Sequence, residues 1–246
     1  MVSESAGQSA TVKLSRRKAV TDESDVCDAS ISRNLYGQRL GRKGRDTRDR
    51  IVTAADALLA RPEPVQITLS AVAREASLGM TTLYLYFSDL TELLLAVLEP
   101  VMVTAEDAYL NRIQARWDDD RLGEECYAFM LAYHDFWARH TRILHLRNAL
   151  ADQHDRRMLL HRVEAATALI ERVVEQMGHD PADTQSAAYD MGTVLMTGVE
   201  RVVTMSTNTD MQDVVVRSRP KVADRMRAVA RLMELAIREH RQLGAQ

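Results

Sequence analysis

Residues Asp46 to Leu94 read DTRDRIVTAADALLARPEPVQITLSAVAREASLGMTTLYLYFSDLTELL. The spacing predicts three short helices, with a tight turn between the second and third. The first is expected to start at Asp46, a good N-cap, with Asp49 near the positive helix end. Ile51, Ala54, Ala55, Leu58 and Leu59 fall on one helical face. Arg61-Pro62-Glu63-Pro64 ends it, because proline cannot donate the next helical hydrogen bond. Thr68 caps the second helix, whose inward residues are Leu69, Val72, Ala73 and Ala76. Ser77-Leu78-Gly79 makes the turn, and Gly79 serves as the next N-cap. The third helix, Met80 to Tyr86, buries Leu83 and Phe87 and turns Met80, Thr81, Thr82, Tyr84 and Tyr86 outward. A helix-turn-helix of this layout places its second helix in the major groove of DNA.

The run Ala76-Ser77-Leu78-Gly79-Met80-Thr81-Thr82-Leu83-Tyr84-Leu85-Tyr86-Phe87, followed by Asp89 and Glu92-Leu93-Leu94, resembles the signature of the tetracycline-repressor (TetR) family. That signature runs roughly A-G-V-S-x-G-T-L-Y-x-Y-F. The resemblance is close over about 50 residues. It implies an all-α protein with a helix-turn-helix head, a ligand-binding and dimerisation body, and double-stranded operator DNA as partner. The departures are informative. Ser77 stands where the family has the turn glycine, and Gly79 where it has the serine cap. Met80, Leu85 and Leu90 replace basic residues, so Met80 to Phe87 carries no charge.

Affinity for DNA comes largely from neutralising phosphates. The positive charge is therefore expected just upstream. Residues 33–50 hold seven basic side chains (Arg33, Arg39, Arg42, Lys43, Arg45, Arg48, Arg50) against Asp46 and Asp49, on a chain of net charge −3. The tract Leu40 to Arg45 reads as a flexible basic arm. The expected DNA contacts are Arg42, Lys43, Arg45, Arg48, Thr68, Ser70, Met80, Thr81, Thr82, Tyr84 and Tyr86.

Three segments follow from this: an extension over 1–40, disordered over residues 1 to about 32 and ending in the arm; the DNA-binding head over 41–90; and a helical ligand-binding and dimerisation domain over 91–246. The 246 residues are 46% hydrophobic and 27% charged, ordinary for a globular chain. Cys27 and Cys126 offer no disulfide framework or metal spacing, which points to a reducing cytoplasm. No apolar run is long enough to span a membrane.

Beyond Thr91 the periodicity predicts helices to the end, the first running to Trp117 with a bend at Pro100. Aromatic and apolar residues of the middle helices, with a few polar groups, suit a small, largely apolar ligand. The candidates are Met102, Tyr109, Phe129, Tyr133, His134, Phe136, Trp137, Asn148 and His161. The run from Arg147 to Asp152, with Asp155 to Arg157, reads instead as a salt-bridged helix junction. Apolar stripes on the last two long helices suggest a homodimer interface: Met191, Leu195, Val199 and Val202 on one, and Val222, Met226, Val229, Met233 and Ile237 on the other. No cofactor, metal or catalytic site is expected, since the five histidines from His134 to His161 do not converge on one helical face, except His154 with His161, and no His-Glu-x-x-His, phosphate loop or nucleophile elbow occurs. The expected function is a cytoplasmic, nucleoid-associated transcription regulator, a ligand-released repressor before an activator. A helical protein-interaction module or a helical enzyme is the alternative.

Overall fold

The computed structural model describes residues 40–61, 66–208 and 221–244. The basic residues Arg33 and Arg39, the extension before them, the helix stop at Pro62 and Pro64 and most of the segment before the last helix lie outside these residues. Among the described residues every regular element is helical. The expected all-α class is therefore correct.

The helix α1 spans Arg42–Leu59, starting four residues before the expected Asp46. Gly41 is its N-cap, and the Gly41 carbonyl accepts from the amides of Gly44 and Arg45 at 2.9 and 3.0 Å. Arg45 Nη1 donates to the Leu40 carbonyl at 2.9 Å. Leu40 is buried against Gly44, where an added methyl would approach Leu40 Cδ2 to 3.0 Å. An apolar residue ahead of the cap fixes the angle at which the chain enters a helix. The tract expected to be a flexible arm is thus the first turn of α1. The apolar face is as expected, with Ile51, Ala54, Ala55, Leu58 and Leu59 all buried.

Short helices follow: α2 (Leu69–Glu75) and α3 (Met80–Tyr84). α3 is two residues shorter than expected, and Leu85 is its C-cap. The next helix, α4 (Leu90–Ala105), holds Pro100 inside it. The departure from α geometry comes later, as a π-turn at Glu106–Leu110. The helix then resumes as α5 (Asn111–Gln114). A π-turn carries one residue more than an α-turn and re-aims the side chains beside it. Here it seats Tyr109 in the core, edge-on to Tyr133 and Phe136 at ring distances of 5.1 Å each.

The body is completed by α6 (Leu122–Arg139), α7 (Thr141–Asp152), α8 (Arg156–Gln176), α9 (Ala187–Thr207) and α10 (Val222–Leu243). α6 packs on α10, α9 and the π-turn, and α8 packs on both α7 and α9. α8 and α9 approach closely at Gly192, where a Cβ would meet Val174 at 3.2 Å. Gln176 ties off the far end. Its carboxamide accepts from the Trp117 amide at 3.0 Å and donates to the carbonyls of Ile113 and Ala115 at 3.1 and 2.7 Å. A buried amide with its partners present costs little and fixes one packing.

Candidate nucleic-acid interface and ligand cavity

The head presents α3 through a turn that the sequence makes possible. Thr68 Oγ1 accepts from the Ala71 amide at 3.1 Å, giving α2 its cap. Ser77 then takes φ 53°, the left-handed region. A serine holds that conformation at a modest cost that glycine would avoid. The turn closes through the Leu78 amide on the Ala73 carbonyl at 2.8 Å. Leu83 and Phe87 are then fully buried, which fixes the opposite face of α3 outward.

On that outward face Thr81 and Tyr84 are exposed, and Thr82 is half-buried. Met80 and Tyr86 do not stand clear, because both pack partly on the head core. Leu85 is exposed beside Tyr84. Ser70 is exposed, and its hydroxyl lies 3.1 Å from that of Thr68. Arg42, Lys43 and Arg45 are exposed at the start of α1. Arg48 is half-buried. Its guanidinium lies 5.1 Å from the Phe87 ring and borders a groove with Glu92, Glu99 and His161.

The head is docked on the body through polar contacts of α7 and α8. Arg142 Nη1 donates to the carbonyls of Leu58 and Leu59 at 2.9 Å each and Arg61 at 3.2 Å, so it caps the C-terminus of α1. A cation there also suits the helix dipole. Asp155 caps α8 and accepts from the Thr91 hydroxyl at 2.6 Å. Arg157 Nη2 donates to both carboxylate oxygens of Asp89, the α4 cap, at 3.0 Å. The Thr91 hydroxyl and two backbone amides outweigh burial and hold the Asp155 pKa below its ordinary value. Burial raises that of Asp89, but the Glu92 amide and Arg157 together bring it below the ordinary value. The salt-bridged junction expected at Asp155 to Arg157 is therefore present.

Arg147 differs. It is only 4% exposed and lines a small cavity of about 30 Å³. Met102, Tyr109, Tyr133, Phe136 and Trp137, all candidates from sequence, line it too, with Arg162 and Glu200. Phe129 instead packs behind, stacked on Tyr133 at 6.2 Å and tilted on Trp117 at 6.0 Å. His134 sits beside Asp135 at 3.3 Å. Asn148 lines a separate pocket of about 390 Å³, and His161 lines the groove next to Arg48. Those four do not line the small cavity. Burial raises the hydroxyl pKa of Tyr109 to about 12 and that of Tyr133 further still, so both stay neutral.

No family model and no curated protein matches the chain. A solved structure does: the crystal structure of a TetR-like transcriptional regulator from Rhodococcus sp. RHA1. It aligns with a TM-score of 0.51 at 16% identity, over 85% of this chain and 100% of that one. The fold is TetR-like.

Within this TetR-like fold the stripes expected to form a dimer interface are largely spent inside the protomer. Leu195, Val199, Met226, Met233 and Ile237 are all buried, against α6 and each other's helices. They cannot meet a partner. Val202 and Val229 are half-buried, and only Met191 and Val222 of that set are exposed. The apolar residues left outside are different ones: Val194 and Met205 on α9, and Leu232 and Leu235 on α10. Gly198, on the same side of α9, meets nothing within 4 Å. The spacing of Leu232 and Leu235, three residues apart, could have shown them as a pair outside the main stripe. Arg162 and Glu200 had no local signal, since each joins the cavity only through tertiary packing. No helix among the described residues is long and apolar enough to cross a membrane.

Proposed function

We propose that this protein is a sequence-specific DNA-binding transcription regulator that acts as a two-fold dimer, and that a small ligand releases it from its operator. One observation carries the reading. A capped helix-turn-helix presents Thr81 and Tyr84 to solvent, and the same head exposes the basic residues that open α1. Those residues are placed against ordinary helix preference. Arg42, Lys43 and Arg45 crowd the positive end of α1, whose first turn has no acidic residue. Such an arrangement is stabilised by an external anion, and a phosphate backbone supplies many. Thr81, Thr82 and Tyr84 then contact base edges and the adjoining backbone, and Ser70 and Tyr86 contact phosphates.

Two heads on one palindromic site require a dimer whose recognition helices lie about 34 Å apart. Met191, Val194 and Met205 of α9 with Leu232 and Leu235 of α10 form the face that would pair, because exposed apolar side chains gathered on two neighbouring helices mark an association surface. The head can respond to the body because α7 and α8 each touch both. Arg142 caps α1, and Arg147 borders the cavity five residues along. Asp155 and Arg157 hold α4, and Arg162 borders the cavity one and a half turns later. A ligand that parts α7, α8 and α9 therefore shifts the head, and operator DNA weakens ligand binding by the same factor.

The test begins with selection of bound sites from a random DNA pool, followed by fluorescence anisotropy on the selected site. Tyr84→Phe is expected to weaken binding by about 1 kcal/mol, and Thr82→Ala to change the preferred sequence. Binding that shows no sequence preference, or none of these changes, would overturn the reading.

A further inference from the structure

Arg147 is a buried cation whose partners do not satisfy it. A guanidinium carries five N–H donors. Among the described residues Arg147 makes one hydrogen bond, from Nε to Asn148 Oδ1 at 3.1 Å. Its Nη2 stands 3.7 Å from Glu200 Oε1, too far for a direct hydrogen bond. That oxygen is already shared: Arg162 Nε approaches it at 3.5 Å, and Asn148 Nδ2 donates to it at 3.0 Å. Two guanidinium groups thus divide one carboxylate. Arg162 has a second partner in Asp152 at 3.0 Å, but that carboxylate is 73% exposed and screened by water. On its other side Arg147 lies 5.5 Å from the Trp137 ring. Burying a charge with incomplete pairing is costly.

The space beside it has two parts. The inner cavity of about 30 Å³ has aromatic walls. The outer pocket of about 390 Å³ shares Arg162 and Glu200 with it. The Arg162–Glu200 pair therefore borders both, and a molecule in the aromatic cavity meets both guanidinium groups.

We propose that this cavity binds a small organic acid, with its carboxylate on Arg147 and Arg162 and its apolar end among Tyr109, Tyr133, Phe136 and Trp137. The planar fork of a guanidinium matches a carboxylate with two parallel hydrogen bonds. A monoanion suits Arg147, which has no close carboxylate of its own, whereas a dianion such as phosphate would be repelled more strongly by Glu200 in the same wall. The inner cavity admits only the narrowest apolar end as it stands, so a single ring or short chain has to part α8 from α6 and α9. This proposal takes the ligand expected under the regulatory reading and gives it a charge. It rests on that reading only for its effect on DNA.

The experiment is calorimetric titration of the full-length protein with benzoate and butyrate, each against its uncharged amide, benzamide and butyramide. Both acids are expected to bind at least about tenfold more tightly than the amides, as a charged hydrogen-bonded pair allows. Arg147→Met should abolish the difference, and Arg147→Lys should keep part of it. Equal binding of acid and amide by the wild type would overturn the proposal, as would a preference untouched by Arg147→Met. If Arg147→Met fails to fold, the wild-type comparison and Arg162→Met decide in its place. Retention on DNA is measured alongside. Wild-type protein that binds its selected DNA site but shows no acid preference overturns this site and leaves the regulator standing. Acid binding that needs Arg147, in a protein with no DNA affinity, upholds the site and overturns the regulator.

Discussion

The inner face of α10 is apolar and covered by its own chain, whereas its outer face is largely polar but carries two exposed leucines. Met226, Met233 and Ile237 are wholly buried, while Leu232 is 58% and Leu235 47% exposed. The inner face belongs to the fold and the outer face is left for something else. The same division recurs among the arginines. Arg142 Nη1 donates to the head's own carbonyls, whereas Arg42 and Lys43 are exposed to solvent. Groups satisfied within the chain set stability, and groups left outside set association. Substitutions can break or sharpen that distinction.

The largest effect is expected at Met233. Met233→Asp buries an unpaired charge and deletes packed side-chain volume, a loss of at least about 3–5 kcal/mol. Thermal melting followed by circular dichroism should show an unfolded or barely folded chain. Leu232→Glu with Leu235→Glu, one and two positions away from that residue, should leave the melting cooperative. Its effect is on the proposed dimer, whose dissociation constant should rise by about 100-fold or more in sedimentation equilibrium, because like charges would face each other across its two-fold axis. If the inner substitution gave folded monomers and the outer pair gave unfolded chains, the assignment of the faces would be reversed.

Arg142→Ala comes next, at about 1–2 kcal/mol of stability, since it strips the cap from the end of α1. Hydrogen exchange at the last turn of α1 should rise more than exchange in α6. Replacing Arg42, Lys43 and Arg45 together by Gln should not lower stability. It should flatten the slope of log affinity against log salt by about 0.9 for each phosphate that is no longer neutralised. Removal of residues 1–39 keeps these three and their helix, so any further change in slope belongs to the segment before Leu40. Equal slopes for the wild type and the triple variant would assign the basic turn to solvent alone.

The smallest expected effect is a pH dependence. Burial, and then the charge of Arg147, lower the pKa of His161 beneath its ordinary 6.5, with Glu164 opposing, and its Nδ1 is buried without a hydrogen-bond partner among the described residues. Burial and Arg139 lower that of His140 as well. Below about pH 6.5 the unfolded chain binds protons that the folded chain refuses, so stability falls as pH drops through that window. Melting temperatures from pH 7.5 to 5.5 should decline, and His161→Leu should make the decline shallower. A flat profile in both proteins would show that neither histidine differs between the folded and unfolded chain.

The head was legible because its signals are local. Thr68 as cap, the Ser77-Leu78-Gly79 turn and the apolar spacing in α1 each act within a few residues, and each stands where the sequence put it. The start of α1 was hidden by Gly41, Gly44 and the clustered charges, which read as loop until Leu40 is seen packed beneath them. The body was legible only in outline. Periodicity marks α10 as amphipathic but cannot say whether its apolar stripe meets its own chain or a partner, since α6 decides that from a hundred residues away. Arg147 read as part of a salt-bridged helix junction. Its burial depends on Glu200 and Trp137 arriving from two other helices.

The contacts of Arg142 and Arg157 also bear on modularity. The carbonyls at the end of α1 and the carboxylate that caps α4 are met by side chains from α7 and α8. A head excised after α4 would leave those groups to water. A chimera that grafts this head onto another helical body should work only when the recipient supplies an arginine at the position of Arg142. The unit that can be transplanted is therefore the head together with the two body helices that finish it, and the helix-turn-helix alone is an incomplete part.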